Sequence, residues 1–212
     1  MRRFKVEFQV ASPVILRGRL YLDAVLLSLA VQAGIPYEVA ASELPITQQD
    51  GIYRCSQLLW DGLPDTVIAK KQMNIWTPRE LDDHARTTQK GFTKSDQNKN
   101  YKPLMDEYPA MDIPQVFFIV ETDDPESLLA AVQNIPALGK WSRKGYGNIA
   151  SVDMTSTEDD PWVMADGRPA RALPVDLWKR LYGGPHALAM EGVHPPYWAT
   201  NLAQLCAVEK IA

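Results

Sequence analysis

The sequence is short of the residues that build metal centres. Its 212 residues hold two cysteines, Cys55 and Cys206, and three histidines, His84, His186 and His194, with no CxxC or HxxxH spacing. Thiols and imidazoles scattered in this way predict no metal site and no cofactor. A disulfide between the two cysteines is not expected in a reducing compartment, and both read as small buried apolar residues. Long apolar runs are missing as well. The longest, AVLLSLAVQAG from Ala24, is interrupted by Ser28 and Gln32 and falls short of the roughly 20 residues that cross a bilayer. The segment MRRFKVEFQV carries cations but no continuous apolar stretch of the signal-peptide kind. Neither GxxxxGK[ST] nor GxGxxG occurs, which disfavours a Walker-type phosphate loop. These absences predict a soluble cytoplasmic protein with no membrane partner.

What is present suffices for a sizeable core. Hydrophobic residues make up 46% and charged residues 23%, with a net charge of −4, ordinary values for a globular chain of one elaborated domain or two small ones. FKVEFQV, from Phe4, alternates apolar and polar residues with the period of a half-buried strand. Asp23 is placed to cap the helical pattern that follows, which Gly34 and Pro36 end. GIYRCSQLLW from Gly51 and DTVIAKKQMN from Asp65 read as two strands joined by DGLPD into a hairpin. Residues 74 to 114 are mostly polar and lack a sustained period, so they read as a long insertion, a protruding hairpin. QVFFIVET then gives a buried strand. Asp123 or Asp124 with Pro125 starts a helix facing Leu128, Leu129, Val132 and Ile135 inward, and NIASVDM gives a last strand.

Strand, helix, strand pair, insertion, strand, helix, loop, strand is the split βαβ pattern. It predicts an α+β, ferredoxin-like (RRM-like) fold, with two helices on one sheet face and the other face open to single-stranded RNA. We place this domain at residues 1–156, with a thumb-like insertion at 75–114. TEDDPW links it to a C-terminal extension, 157–212, packed on the main domain, in which Asp166-Gly167 signals a tight turn. Trp162, Trp178, Tyr182, Tyr197 and Trp198 in that extension are either core or interface anchors.

Charge is unevenly spread. Residues 70–102 carry Lys70, Lys71, Arg79, Arg86, Lys90, Lys94, Lys99 and Lys102 against four acids, and Arg2, Arg3, Lys5, Arg17 and Arg19 crowd the N-terminal segment. A local cationic patch acts independently of remote acids, because the Debye length is about 8 Å at physiological salt. The densest patch is ALGKWSRKGYGNI, residues 137–149, with no acid at all. Gly139, Gly145 and Gly147 allow close approach, so main-chain N–H groups can face phosphate oxygens as a nest. Lys140, Arg143 and Lys144 supply charge, with Ser142 between them. Trp141 and Tyr146 either stack on bases or pack the loop on the sheet.

FKVEFQVASPVIL followed at once by LYLDAVLLSLA, and later a helix running into GKWSRKGYGNI, resembles the repeat-associated mysterious protein (RAMP) superfamily of CRISPR-Cas systems over residues 3–155. Within it the chain is most similar to the small single-RAMP subunit of type IV effector complexes, which caps the 5′ handle of the guide RNA (crRNA). The resemblance implies a non-catalytic RNA-binding subunit that caps the handle and nucleates assembly. Its contacts would be Gly139 to Gly147, with Arg17 nearby and Arg86, Lys90 and Lys94 on the thumb. Implied partners are the crRNA 5′ handle, a backbone RAMP subunit met by the thumb, a large subunit recognising the protospacer-adjacent motif, and target DNA through the assembly.

Some members of the superfamily cut repeat RNA without metal, which needs a general base and acid around a 2′-hydroxyl. None of the three histidines falls in the strand-one to helix-one junction or the basic loop, so the sequence predicts no catalytic residues. An endoribonuclease is the alternative reading. A pure protein-interaction subunit acting through YWATNLAQL and a small-molecule enzyme explain the loop less economically.

Overall fold

The computed structural model describes residues 1–73, 104–197 and 199–209. Strand β1 (Arg2–Val10) runs through the middle of a three-stranded antiparallel sheet. Its predicted alternation is realised: Phe4, Val6 and Phe8 are buried on one face, and Arg3, Lys5 and Glu7 point to the other.

Helix α1 (Leu22–Gln32) follows, then a short α2 (Tyr37–Ser42). The expected cap of α1 is corrected here. Tyr21 occupies the N-cap with no side-chain cap bond, and Asp23 lies inside the first turn with none of its surface exposed. Asp23 faces inward because the helix has an ionic partner there. The helix ends where expected, at Gly34, which adopts φ 92°.

The expected hairpin of residues 51–60 with 65–74 does not form. Strands β2 (Gln48–Gln49) and β3 (Ile52–Tyr53) pair with each other. Strand β4 (Asp65–Met73) pairs with β5 (Leu104–Asp112). Residues 54–59 instead lie along β6 (Gln115–Thr122), through bridges Cys55↔Val120 and Leu59↔Phe117 and the bonds Ser56 N to Ile119 O and Glu121 N to Arg54 O, both 2.8 Å. The reason is hydrogen-bond satisfaction. Most of β6 is buried, and a buried strand edge without partners is costly, so the nearest extended segment pairs with it.

Strand β6 pairs with β1 (Val6↔Phe118), and β1 pairs on its other side with β7 (Ile149–Ser156; Val6↔Met154). The order across the sheet is therefore residues 54–59, β6, β1, β7. Between β6 and β7 runs α3 (Pro125–Gln133), capped by Asp124, whose carboxylate accepts from Ser127 N at 3.1 Å, with Pro125 in the first turn. Leu128, Val132 and Ile135 are buried, as their spacing predicts, and Leu129 is half-buried.

Residues beyond Thr157 build a second small sheet of β8 (Leu173–Pro174), β10 (Ala203–Val208) and β9 (Ala187–Gly192), in that order, with α4 (Val175–Leu181). Trp162, Trp178, Leu173 and Cys206 form a core that also takes in Tyr21 and Ile52. Trp162 and Trp178 are fully buried, so these two aromatics are core; Trp198 lies outside the described residues. The Asp166-Gly167 turn is present, with Met164 N bonded to Arg168 O at 2.8 Å.

The expectation of an open second sheet face is corrected at one end only, since Ser151, Asp153 and Thr155 of β7 on that face are exposed. On that face Arg3 Nε meets Glu121 at 3.1 Å, Arg54 Nη2 meets Glu121 at 3.2 Å and Asp160 at 3.1 Å, and the Trp162 indole donates to Tyr53 O at 2.9 Å. Ile119 and Glu121 on this face are buried. The chain divides into two compact units, Met1–Asp65 with Asp112–Ala212, and Thr66–Met111.

Candidate nucleic-acid interface

The basic loop leaves α3 and returns into β7, and it is stitched to the junction between β1 and α1. Lys140 N donates to Ile15 O at 2.8 Å, Gly147 N to Pro13 O at 2.9 Å, and Asn148 N to Ser12 Oγ at 2.9 Å. Val14 and Ile15 beneath it are wholly buried. Two glycines make the close fit. A Cβ at Gly139 would stand 2.5 Å from Ile15 O, and one at Gly147 would stand 1.9 Å from Leu138 O, with φ of 83° and 66°. Either approach excludes any side chain. Gly145 has open space and is required only for its φ of 87°.

Five of the loop's main-chain amides are spent inside the fold. Besides Lys140 and Gly147, Lys144 N donates to Trp141 O, Gly145 N to Ser142 O and Tyr146 N to Trp141 O. The expected phosphate nest is corrected at these five positions, since an N–H committed to a carbonyl does not also cradle an anion. At these positions what the loop offers a ligand is side chains.

Ser142 to Lys144 form one turn of 3₁₀ helix whose Arg143 and Lys144 side chains are exposed. Neither makes an ion pair among the described residues. Lys140 is half-buried; its ammonium and that of Lys144 stand 5.7 and 5.3 Å from the centre of the Trp141 ring, and Tyr146 packs edge-on to that ring at 5.9 Å. Trp141 itself adopts φ 63° and ψ 27°, a left-handed conformation costing roughly 1–2 kcal/mol in a residue with a Cβ. Arg17 is exposed two residues past Ile15, on the same junction that holds the loop. The structure thus gathers Gly139 to Gly147 on one surface feature and puts Arg17 on its support. Arg86, Lys90 and Lys94 lie outside the described residues, as does His84.

A second polar cluster was not anticipated. Arg171 and Asp23, both fully buried, pair at 3.0 Å; the Tyr197 hydroxyl donates to the same carboxylate, and the Cys55 thiol donates to it at 3.1 Å. The guanidinium lies 4.2 Å from the centre of the Tyr21 ring. Burial alone would lower the Arg171 pKa, but the attractions of Asp23, Tyr197, Cys55 and Tyr21 together outweigh it and hold the value well above normal. Burial likewise pushes the Cys55 thiol up, so Cys55 is an inert hydrogen-bond donor rather than a nucleophile. An acid on an apolar helix face, LDAVLL, was the one signal in the sequence for this cluster. No group of three or more His, Cys, Asp or Glu among the described residues is placed to hold a metal, and no helix among them is long and apolar enough to cross a membrane.

No curated protein sequence matches the chain. A solved structure described as a CRISPR protein from Archaeoglobus fulgidus aligns with 100% of this chain and 87% of its own, at 13% identity and a TM-score of 0.37. The family model described as "CRISPR type IV associated protein Csf3" matches residues 64–209. That match spans well over half of the sequence, and the chain belongs to the type IV CRISPR-associated Csf3 family.

Proposed function

We propose that this protein is a non-catalytic RNA-binding subunit of a type IV CRISPR effector complex, capping the 5′ handle of the crRNA and nucleating assembly. The observation that carries the reading is an acid-free loop held rigidly against the β1–α1 junction, with Arg143 and Lys144 directed outward. Fixed cations on a rigid support are what a phosphate backbone requires, and they hold it without base chemistry. Sheet order 54–59, β6, β1, β7, with one helix following β1 and one between β6 and β7, supports a ferredoxin-like RAMP domain over residues 1–156, with 157–212 as its extension. In this reading the thumb-like insertion is the unit Thr66–Met111, wider at its start than residues 75–114. It carries Arg86, Lys90 and Lys94 to phosphates and to a backbone RAMP subunit. A large subunit recognising the protospacer-adjacent motif, and through it target DNA, completes the set of partners.

Co-expressing the tagged protein with its effector neighbours and sequencing the 5′ ends of bound RNA tests the proposal. A shared repeat-derived 5′ end that Arg143→Glu with Lys144→Glu abolishes is the expected result. Random RNA ends, or occupancy indifferent to the charge reversal, would remove the capping role. Incubating the chain alone with repeat RNA without metal is expected to leave the RNA uncut.

A further inference from the structure

Charge gives no reason for Trp141 to be a tryptophan. Its left-handed backbone would suit glycine at no cost, and the loop already uses three glycines at positive φ. Nor is the indole spent on the core: Trp162 and Trp178 are fully buried, while Trp141 keeps part of its ring at the surface. Two lysine ammoniums stand within 6 Å of the ring centre, and the edge of Tyr146 packs against it. A lysine over a half-exposed ring gains less from that contact than a charge-assisted bond to phosphate returns.

We propose that Trp141 is a stacking platform for one nucleobase of a single-stranded RNA, with Lys140 and Lys144 leaving the ring to meet the phosphates on either side of the stacked base. This rests on the RNA-binding reading above and deepens it. Arg143 and Lys144 attract any polyanion; the ring distinguishes a strand with accessible base faces from a duplex whose faces are already stacked. The loop stores backbone strain at the one residue whose side chain would touch a base, the pattern expected of a ligand-contacting position.

The test separates the ring from the strain. Trp141→Gly removes the ring and relaxes the backbone; Trp141→Asn removes the ring and tolerates the same φ; Trp141→Phe keeps an aromatic face. Binding of the full chain is followed by fluorescence anisotropy with labelled RNA of about ten nucleotides, using oligoadenylate, its abasic counterpart and a duplex of equal length. Thermal melts establish which variants fold.

Wild type is expected to prefer oligoadenylate over the abasic strand by roughly tenfold or more, the size of one base–aromatic stack. The glycine and asparagine variants should lose that preference, with residual binding at the abasic level, and the phenylalanine variant should keep most of it. A ring-free variant that still prefers bases, or a wild type with no preference, overturns the platform. If Arg143→Glu with Lys144→Glu weakens all three probes while Trp141→Gly leaves the preference intact, the platform falls and the RNA reading stands. If wild type binds none of the probes, the RNA reading falls and the platform with it.

Discussion

Two groups of charged residues in this chain have opposite fates. The Asp23 and Arg171 side chains have no exposed surface and are joined to each other at 3.0 Å. Arg143 and Lys144 lie in solvent on a loop from which acids are missing. A charge in the interior has to be paired, because nothing else replaces its lost hydration. A charge in water can stand alone at little cost and is available to a ligand. The buried pair ties the C-terminal stretch to the first turn of α1, and the exposed pair gives the loop a binding chemistry. The same residue types do structural work in one place and recognition in the other, and burial decides which.

The sharpest way to break this contrast is to remove one half of the buried pair. Arg171→Met leaves the Asp23 carboxylate with its hydroxyl and thiol donors but no cation, and should cost about 3–5 kcal/mol in urea unfolding. Asp23→Leu alone should do the same, stranding a guanidinium whose Nε already has no partner. The double variant Asp23→Leu with Arg171→Met should recover most of the loss, since an apolar replacement of a buried ion pair is often near neutral. A single variant within about 1 kcal/mol of wild type would show that the pair is not structural.

Alkaline pH probes the same cluster more gently. Burial raises the Tyr21 hydroxyl from 10.0 to about 12, against the pull of Arg171. Folded protein therefore holds this proton more tightly than the unfolded chain does. The contribution is complete below pH 10 and is lost as pH rises from 10 towards 12, a loss on the order of a few kcal/mol. Burial raises Tyr197 in the same direction. Urea midpoints measured at pH 9 and pH 11.5 should fall apart accordingly, and Tyr21→Phe should reduce the difference without abolishing it, since Tyr197 remains. Equal midpoints for wild type would contradict the assignment.

How far the sequence reveals this contrast depends on the range of each interaction. The period of Phe4, Val6 and Phe8, the Asp124-Pro125 helix start and the place of the basic loop in chain order were all legible, because each is local. Asp23 was misread as a cap because its partner is 148 positions away, and local rules place an acid at a helix start by default. Residues 51–60 have a strand's composition, but composition does not say which edge a strand joins; the need of β6 for a partner decided that. Likewise the three glycines were read as openness towards a phosphate. Two of them serve contact with the chain's own backbone, Ile15 O and Leu138 O, which no local pattern encodes.

The smallest expected effect on stability belongs to the exposed pair, and that smallness is the point. Arg143→Gln with Lys144→Gln breaks no ion pair among the described residues, so urea unfolding should move by no more than about 0.5 kcal/mol. Binding should respond differently. For single strands the slope of log affinity against log salt is about 0.7 for each phosphate neutralised, so losing two contacts should shrink it by about 1.4 while leaving any base preference in place. A variant that unfolds early would mean that the loop's cations hold the fold, and an unchanged salt slope would mean that they do not touch phosphate. Loss of slope without loss of stability is the combination that only an exposed, ligand-directed pair of charges produces, and it is the reverse of what Arg171→Met should give.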